Sequence, residues 1–229
     1  MLGVFSSGLF AGLLAGVFAG FLQLFFVQPV LLHAELYETG KVLQNGAEAV
    51  LANPEVVGLD IMRDSLSLLF SVAIYCGFGL ILVSLMALAT RRGFEVSARK
   101  GVVWGIAGFV AVHLAPGFSL FPELPGMASG DLFGRQIWWY STVLFAVIGI
   151  WIVVFSNNWK LWVVALVLLF LPHVIGAPHP IKYTGPAPTE LGSLFSARVF
   201  GVTFLAWVIL GLSAGYFWAK ESSNKLTNE

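Results

Sequence analysis

The sequence predicts an all-α integral membrane protein with six transmembrane helices. Three observations carry that prediction. Of 229 residues, 58% are hydrophobic and only 10% charged, whereas a soluble domain carries roughly a quarter charged residues. The apolar residues form long unbroken runs rather than periodic stripes, and about 20 such residues suffice to cross hydrocarbon. The basic residues also cluster in alternate connecting loops, as they do in multi-pass proteins.

The first span, roughly 2–32, is the longest. It has no basic leader and no small-residue cleavage site, so it reads as retained. Gly8, Gly12, Gly16 and Gly20 lie along one helix face and admit a close neighbour. That neighbour is either another helix of this chain or a separate single-span subunit. Gln23 and Gln28 are polar positions in the same span, suited to line a path or to bond across helices. The loop 33–64 has room for a short helix or two. The second span, 65–90, holds the single cysteine, Cys76, which excludes an internal disulfide and a cysteine-rich metal site. The third, 101–115, is the shortest, and its helix can begin near Ala98. The fourth, 136–155, opens on Trp138, Trp139 and Tyr140. The fifth, 159–177, opens on Trp159, and the sixth, 199–218, closes on Trp218. Aromatic residues at these places match interfacial belts.

Charge orients the chain. Arg91, Arg92, Arg99, Lys100, Lys160, Lys220 and Lys225 all fall on one side of six spans. The positive-inside rule makes that side cytoplasmic, with both termini inside. All acidic residues except Glu95, Glu221 and Glu229 fall outside. Acids contribute little to topology, so this asymmetry suggests cation capture. The net charge of zero gives no reason to expect nucleic acid as a partner; membrane lipid is the expected surrounding.

All four histidines, His33, His113, His173 and His179, lie at or just beyond the outer ends of the apolar runs. Imidazole suits cobalt, nickel, copper and zinc. The outer loops also resemble one another. HLAPGFSLFPELPG (113–126) is followed by LFGR ending at Arg135, and HVIGAPHPIKYTGPAPTELG (173–192) by LFSAR ending at Arg198. The first loop is a weaker copy, with His33, Glu35-Leu36 and Arg63. The chain therefore reads as one transmembrane domain over 1–229 containing three parallel helical hairpin repeats, 1–92, 98–158 and 159–220. Their axis would lie near the membrane normal.

Pro29, Pro116, Pro172 and Pro178 stand at or near the outer ends of the outgoing helices. Proline cannot donate to the preceding turn, so it is expected to end these helices and free carbonyls at the negative end of the helix dipole. Carbonyls, imidazoles and carboxylates at one depth would make a cation site. The metal-ligand candidates are His113, His173, Glu35, Glu123 and His33, with Glu190 next and His179 read as a loop residue. Arg135 and Arg198 should pair with loop carboxylates or carbonyls. Met127 suits packing more than soft-metal ligation. No Walker A, HExxH or GxSxG motif occurs, so nothing points to an enzyme. An intramembrane metalloenzyme would need several ligands, an open water position and a substrate pocket.

HLAPGFSLFPELPG, GRQIWWY (134–140), LPHVIGAPHP (171–180) and QLFFVQPVLLHAELYE (23–38) together resemble the CbtA family of predicted cobalt transporter subunits. The resemblance covers nearly the whole chain. It implies an inner-membrane protein of cobalt uptake for cobalamin synthesis, with a small single-span partner, CbtB. It emphasises Glu35, His113, Pro116, Glu123, Arg135, Trp138, His173 and Pro178. The expectation is a permease subunit for a divalent metal ion, cobalt first, captured on the extracytoplasmic face. The alternative is a non-transporting structural or assembly subunit of a membrane complex.

Overall fold

A computed structural model describes residues 2–40 and 60–226. Among these residues there are helices and no strands: α1 (Leu2–Glu38), α2 (Ile61–Arg91), α3 (Ala98–Gly117), α4 (Leu132–Phe155), α5 (Trp159–Ile175) and α6 (Thr189–Leu226). Five are long and apolar enough to span a membrane, and α5 is a shorter apolar helix of 17 residues. At 1.5 Å per residue α5 is about 25 Å long, against about 30 Å of hydrocarbon. The protein is an all-α, multi-pass membrane protein. The short helices expected in the loop 33–64 would fall on 41–59, outside the described residues, as do Glu48 and Glu55.

Of the four prolines only Pro29 lies well inside its helix, which runs on to Glu38; α3 ends at Gly117 just after Pro116, α5 ends at Ile175 soon after Pro172, and Pro178 lies beyond it. In α1 a π-helical turn, Gln23–Val27, precedes Pro29 by two residues. In α3 a π-helical turn, Val110–Leu114, precedes Pro116 by the same two residues. A wider turn moves the carbonyl that the proline ring would strike, and α1 continues. Pro172 also sits inside α5, which stops at Gly176 with φ 89°. His33 and Glu35, expected beyond a helix end, are therefore on the last turns of α1.

The chain divides into two compact units. One takes Met1–Phe26, Leu59–Phe109 and Gly201–Glu229; the other takes Val27–Gly58 and Val110–Phe200. In the chain, two of these borders fall at the π-helical turns.

In the first unit, the glycine face of α1 lies on α2. Gly8 meets Leu80, Gly12 meets Cys76 and Tyr75, Gly16 meets Val72, and Gly20 meets Leu68. The pairs run antiparallel with a step of four, so every turn of one helix touches a turn of the other. A Cβ at Gly8 would stand 2.9 Å from the Cα of Leu80, closer than carbon atoms pack. The stripe's neighbour is thus a helix of this chain rather than a separate subunit. A second small-residue crossing joins α3 to α6. There Gly105 faces Gly211, and Gly101 faces Gly211 and Gly215. Val83 and Met86 of α2 and Leu210 of α6 are fully buried. Two side-chain hydrogen bonds join helices of this unit. Ser71 donates to Gln23 Oε1 at 2.8 Å, and Trp218 Nε1 donates to Thr90 Oγ1 at 3.0 Å.

In the second unit α4 packs on α5, where Gly149 faces Ala165 and Leu169. Three separate segments meet in a small apolar core of Ala34 from α1, Leu124 from the loop after α3, and Ala187 from the loop after α5. Tyr37, Met127 and Leu191 cover it. The Ala128 N–H donates to the Thr184 carbonyl at 2.8 Å and ties the two loops together. The outer segments that carry the related motifs are therefore assembled by this core.

Candidate functional site

The second unit contains a cavity of about 690 Å³. Its walls come from four places, one of them α6 through Val199 and Phe200. The π-helical turn of α3 supplies Val112 and His113. The loop 118–131 supplies Phe121 to Met127. The first turns of α4 supply Leu132, Arg135, Gln136, Trp139 and Tyr140. The α4 positions follow three- and four-residue steps, so one helix face lines the cavity. Asp131 fixes the start of that face, because its carboxylate accepts from the Gly134 N–H at 2.7 Å.

His113 and Glu123 share this cavity. The Nε2 of His113 is buried. Its direction depends on the π-helical turn, since one inserted residue rotates the helix by about 100°. Glu123 is held by Arg135, whose Nη2 donates to its Oε2 at 2.9 Å. Both side chains are half-buried, at 23% and 19% exposure for Arg135 and Glu123. The loop carboxylate expected to pair with Arg135 is thus Glu123.

His173 does not line the cavity. Its Nδ1 lies 2.9 Å from Ser119 Oγ, which anchors the start of the loop that carries Glu123. Its ring meets Phe118 and Trp138 edge-on, with centroids 5.3 and 5.7 Å apart. Trp138 Nε1 donates to the carbonyl of Pro172 at 3.0 Å. This cluster locks α5 to α4 and to the loop. Pro178 packs beside Gly130 and Gly134 at the start of α4.

His33 and Glu35 are exposed on α1, and His33 stacks on Tyr37 at 5.6 Å. His179 stacks on Tyr183 at 6.2 Å. Glu190 is exposed in the first turn of α6. The Sδ of Met127 packs against Gly185. Among the described residues, no three His, Cys, Asp or Glu side chains stand close enough to hold a metal together. Two of the five candidates, His113 and Glu123, line one cavity, and His33, Glu35 and His173 are not among its lining residues.

Sequence reasoning missed Gln136, Trp139 and Tyr140 as wall residues, although their spacing from Arg135 could have found them. It also passed over Glu38. A Cβ on Gly126, a cavity residue with φ 75°, would lie 3.2 Å from the Glu38 carboxyl carbon. The signal was hidden because Glu38 reaches this turn only if α1 continues through Pro29.

The helices and the cavity define a multi-pass membrane protein with a mixed apolar and polar chamber that holds the Arg135–Glu123 ion pair. The family model described as "Probable cobalt transporter subunit (CbtA)" matches residues 4–219. The chain belongs to the CbtA family. No curated protein and no solved structure matches it.

Proposed function

We propose that this chain is the permease subunit of a divalent-cation uptake system, with cobalt as cargo, and that it is not an enzyme. The observation that carries the proposal is the shared cavity of His113 and Glu123 in a member of a cobalt transporter family. A carboxylate and an imidazole together suit a first-row divalent metal. Pro116 adds an oxygen: it has no N–H for the Val112 carbonyl four residues back, and Val112 lines the same cavity. Cargo must leave as well as enter, so a site with few protein ligands fits transport better than a closed cage.

In this reading Glu35, His33 and Glu38, on the exposed end of α1, attract the ion first. His113 and Glu123 then replace part of its water shell, and His173 positions the loop through Ser119. The basic loop between α2 and α3 supports an inner-membrane orientation with both termini cytoplasmic and the cavity on the extracytoplasmic side. A small single-span, CbtB-like chain is the proposed partner. Since α2 covers the glycine stripe of α1, that partner docks elsewhere.

The test is cobalt uptake by cells expressing His113→Ala or Glu123→Gln at wild-type protein levels. Loss of a ligand should lower uptake by about tenfold or more. Unchanged uptake in both variants would sink the proposal.

A further inference from the structure

We infer that Arg135 is a tethered surrogate cation: it holds the Glu123 carboxylate in the metal-free state of the cycle, and a divalent ion must displace it to bind. The inference rests on the proposed role of His113 and Glu123. Both Arg135 and Glu123 line the cavity, and the guanidinium is already in the place where a cation on Glu123 would sit, with Nη2 at 2.9 Å from Oε2. A half-buried carboxylate in a membrane protein is costly without a counter-charge. Arg135 supplies one without a metal, so the unloaded site is neutral.

The position of Arg135 makes it displaceable. It lies in the first turn of α4, where the helix dipole presents its positive end and disfavours a cation. Asp131 is committed to capping the Gly134 N–H. The Glu123 contact is therefore the main attraction that holds the guanidinium there. Its long stem and the surrounding 690 Å³ leave room for it to swing aside. In the proposed site a divalent ion has the His113 imidazole of the same cavity to bind as well as Glu123. Magnesium, calcium and alkali ions use imidazole poorly and have only the carboxylate with which to compete against a tethered cation. Arg135 thus sets selectivity as well as affinity.

The experiment is calorimetric titration of the purified full-length protein with CoCl₂, with and without excess MgCl₂. Arg135→Gln should bind cobalt at least about fivefold more tightly than wild type, in the range of ordinary site coupling, and magnesium should compete with cobalt in the variant but not in wild type. Arg135→Lys keeps the charge and should stay within about twofold of wild type. Equal or weaker cobalt binding by a folded Arg135→Gln overturns the inference. So does a change beyond about twofold in Arg135→Lys, which decides the matter if the glutamine variant does not fold. A wild-type protein that binds no cobalt would overturn the metal site itself and the surrogate with it. Cobalt binding by wild type with no gain in Arg135→Gln would sink the surrogate alone.

Discussion

His113 and His173 hold matching places in two related loop motifs, yet they have different surroundings. His113 and Glu123 both line the cavity, and the His113 Nε2 is buried. His173 spends one nitrogen on Ser119 and presents its ring to Phe118 and Trp138. Two predictions follow this contrast. His113→Ala should depress cobalt uptake more than His173→Ala, as measured in cells with matched protein levels; the reverse order would remove His113 from the centre of the site. Ser119→Ala removes one half-buried hydrogen bond and should lower stability by about 1 kcal/mol, as read by denaturant unfolding of the purified protein. A larger loss of stability in Ser119→Ala would mean that the bond anchors more than the loop. The pairing of Arg135 with a loop carboxylate was legible in sequence, because an arginine at an interfacial helix start requires a partner.

At the scale of elements, glycine and proline decide how helices approach and turn. A side chain at Gly12 would overlap the α2 backbone at Cys76, so Gly12→Val should destabilise the protein by about 1–3 kcal/mol. Gly77, on α2, has open space around it, and Gly77→Ala should be neutral or stabilising by up to about 1 kcal/mol. Similar effects of both substitutions on unfolding in detergent would show that the α1–α2 contact is not what the stripe provides. Pro116 sits two residues beyond the π-helical turn that aims His113. With Pro116→Ala, the turn can revert to α geometry and rotate the ring by about 100°. Cobalt affinity should fall while helical stability is retained or improved. Calorimetry together with circular dichroism separates those effects; undiminished affinity would show that the turn does not set the direction of His113.

For the molecule as a whole, orientation is the property to test. Reporter fusions at both termini should report the cytoplasm, and an extracytoplasmic C-terminus would mean that α5 does not cross. The class and the six helices could be read from the chain, because each depends on local composition. Hydrocarbon demands long apolar runs whatever their neighbours. The four-residue glycine step also announced close packing, but the sequence could not say against what. The prolines were visible, but a propensity rule predicted that they end helices. In the structure a π-helical turn carries α1 through Pro29 to Glu38, whereas α3 ends at Gly117, one residue after Pro116. The continuation of α1 placed Glu38 at Gly126, and the π-helical turn of α3 holds His113 in the wall of the cavity that Glu123 also lines. Sequence alone therefore determined which segments form apolar helices and which residue types stand at their ends. Only tertiary structure selected the two ligand candidates that share a cavity, because that selection depends on helix phase and loop packing between residues far apart in the chain.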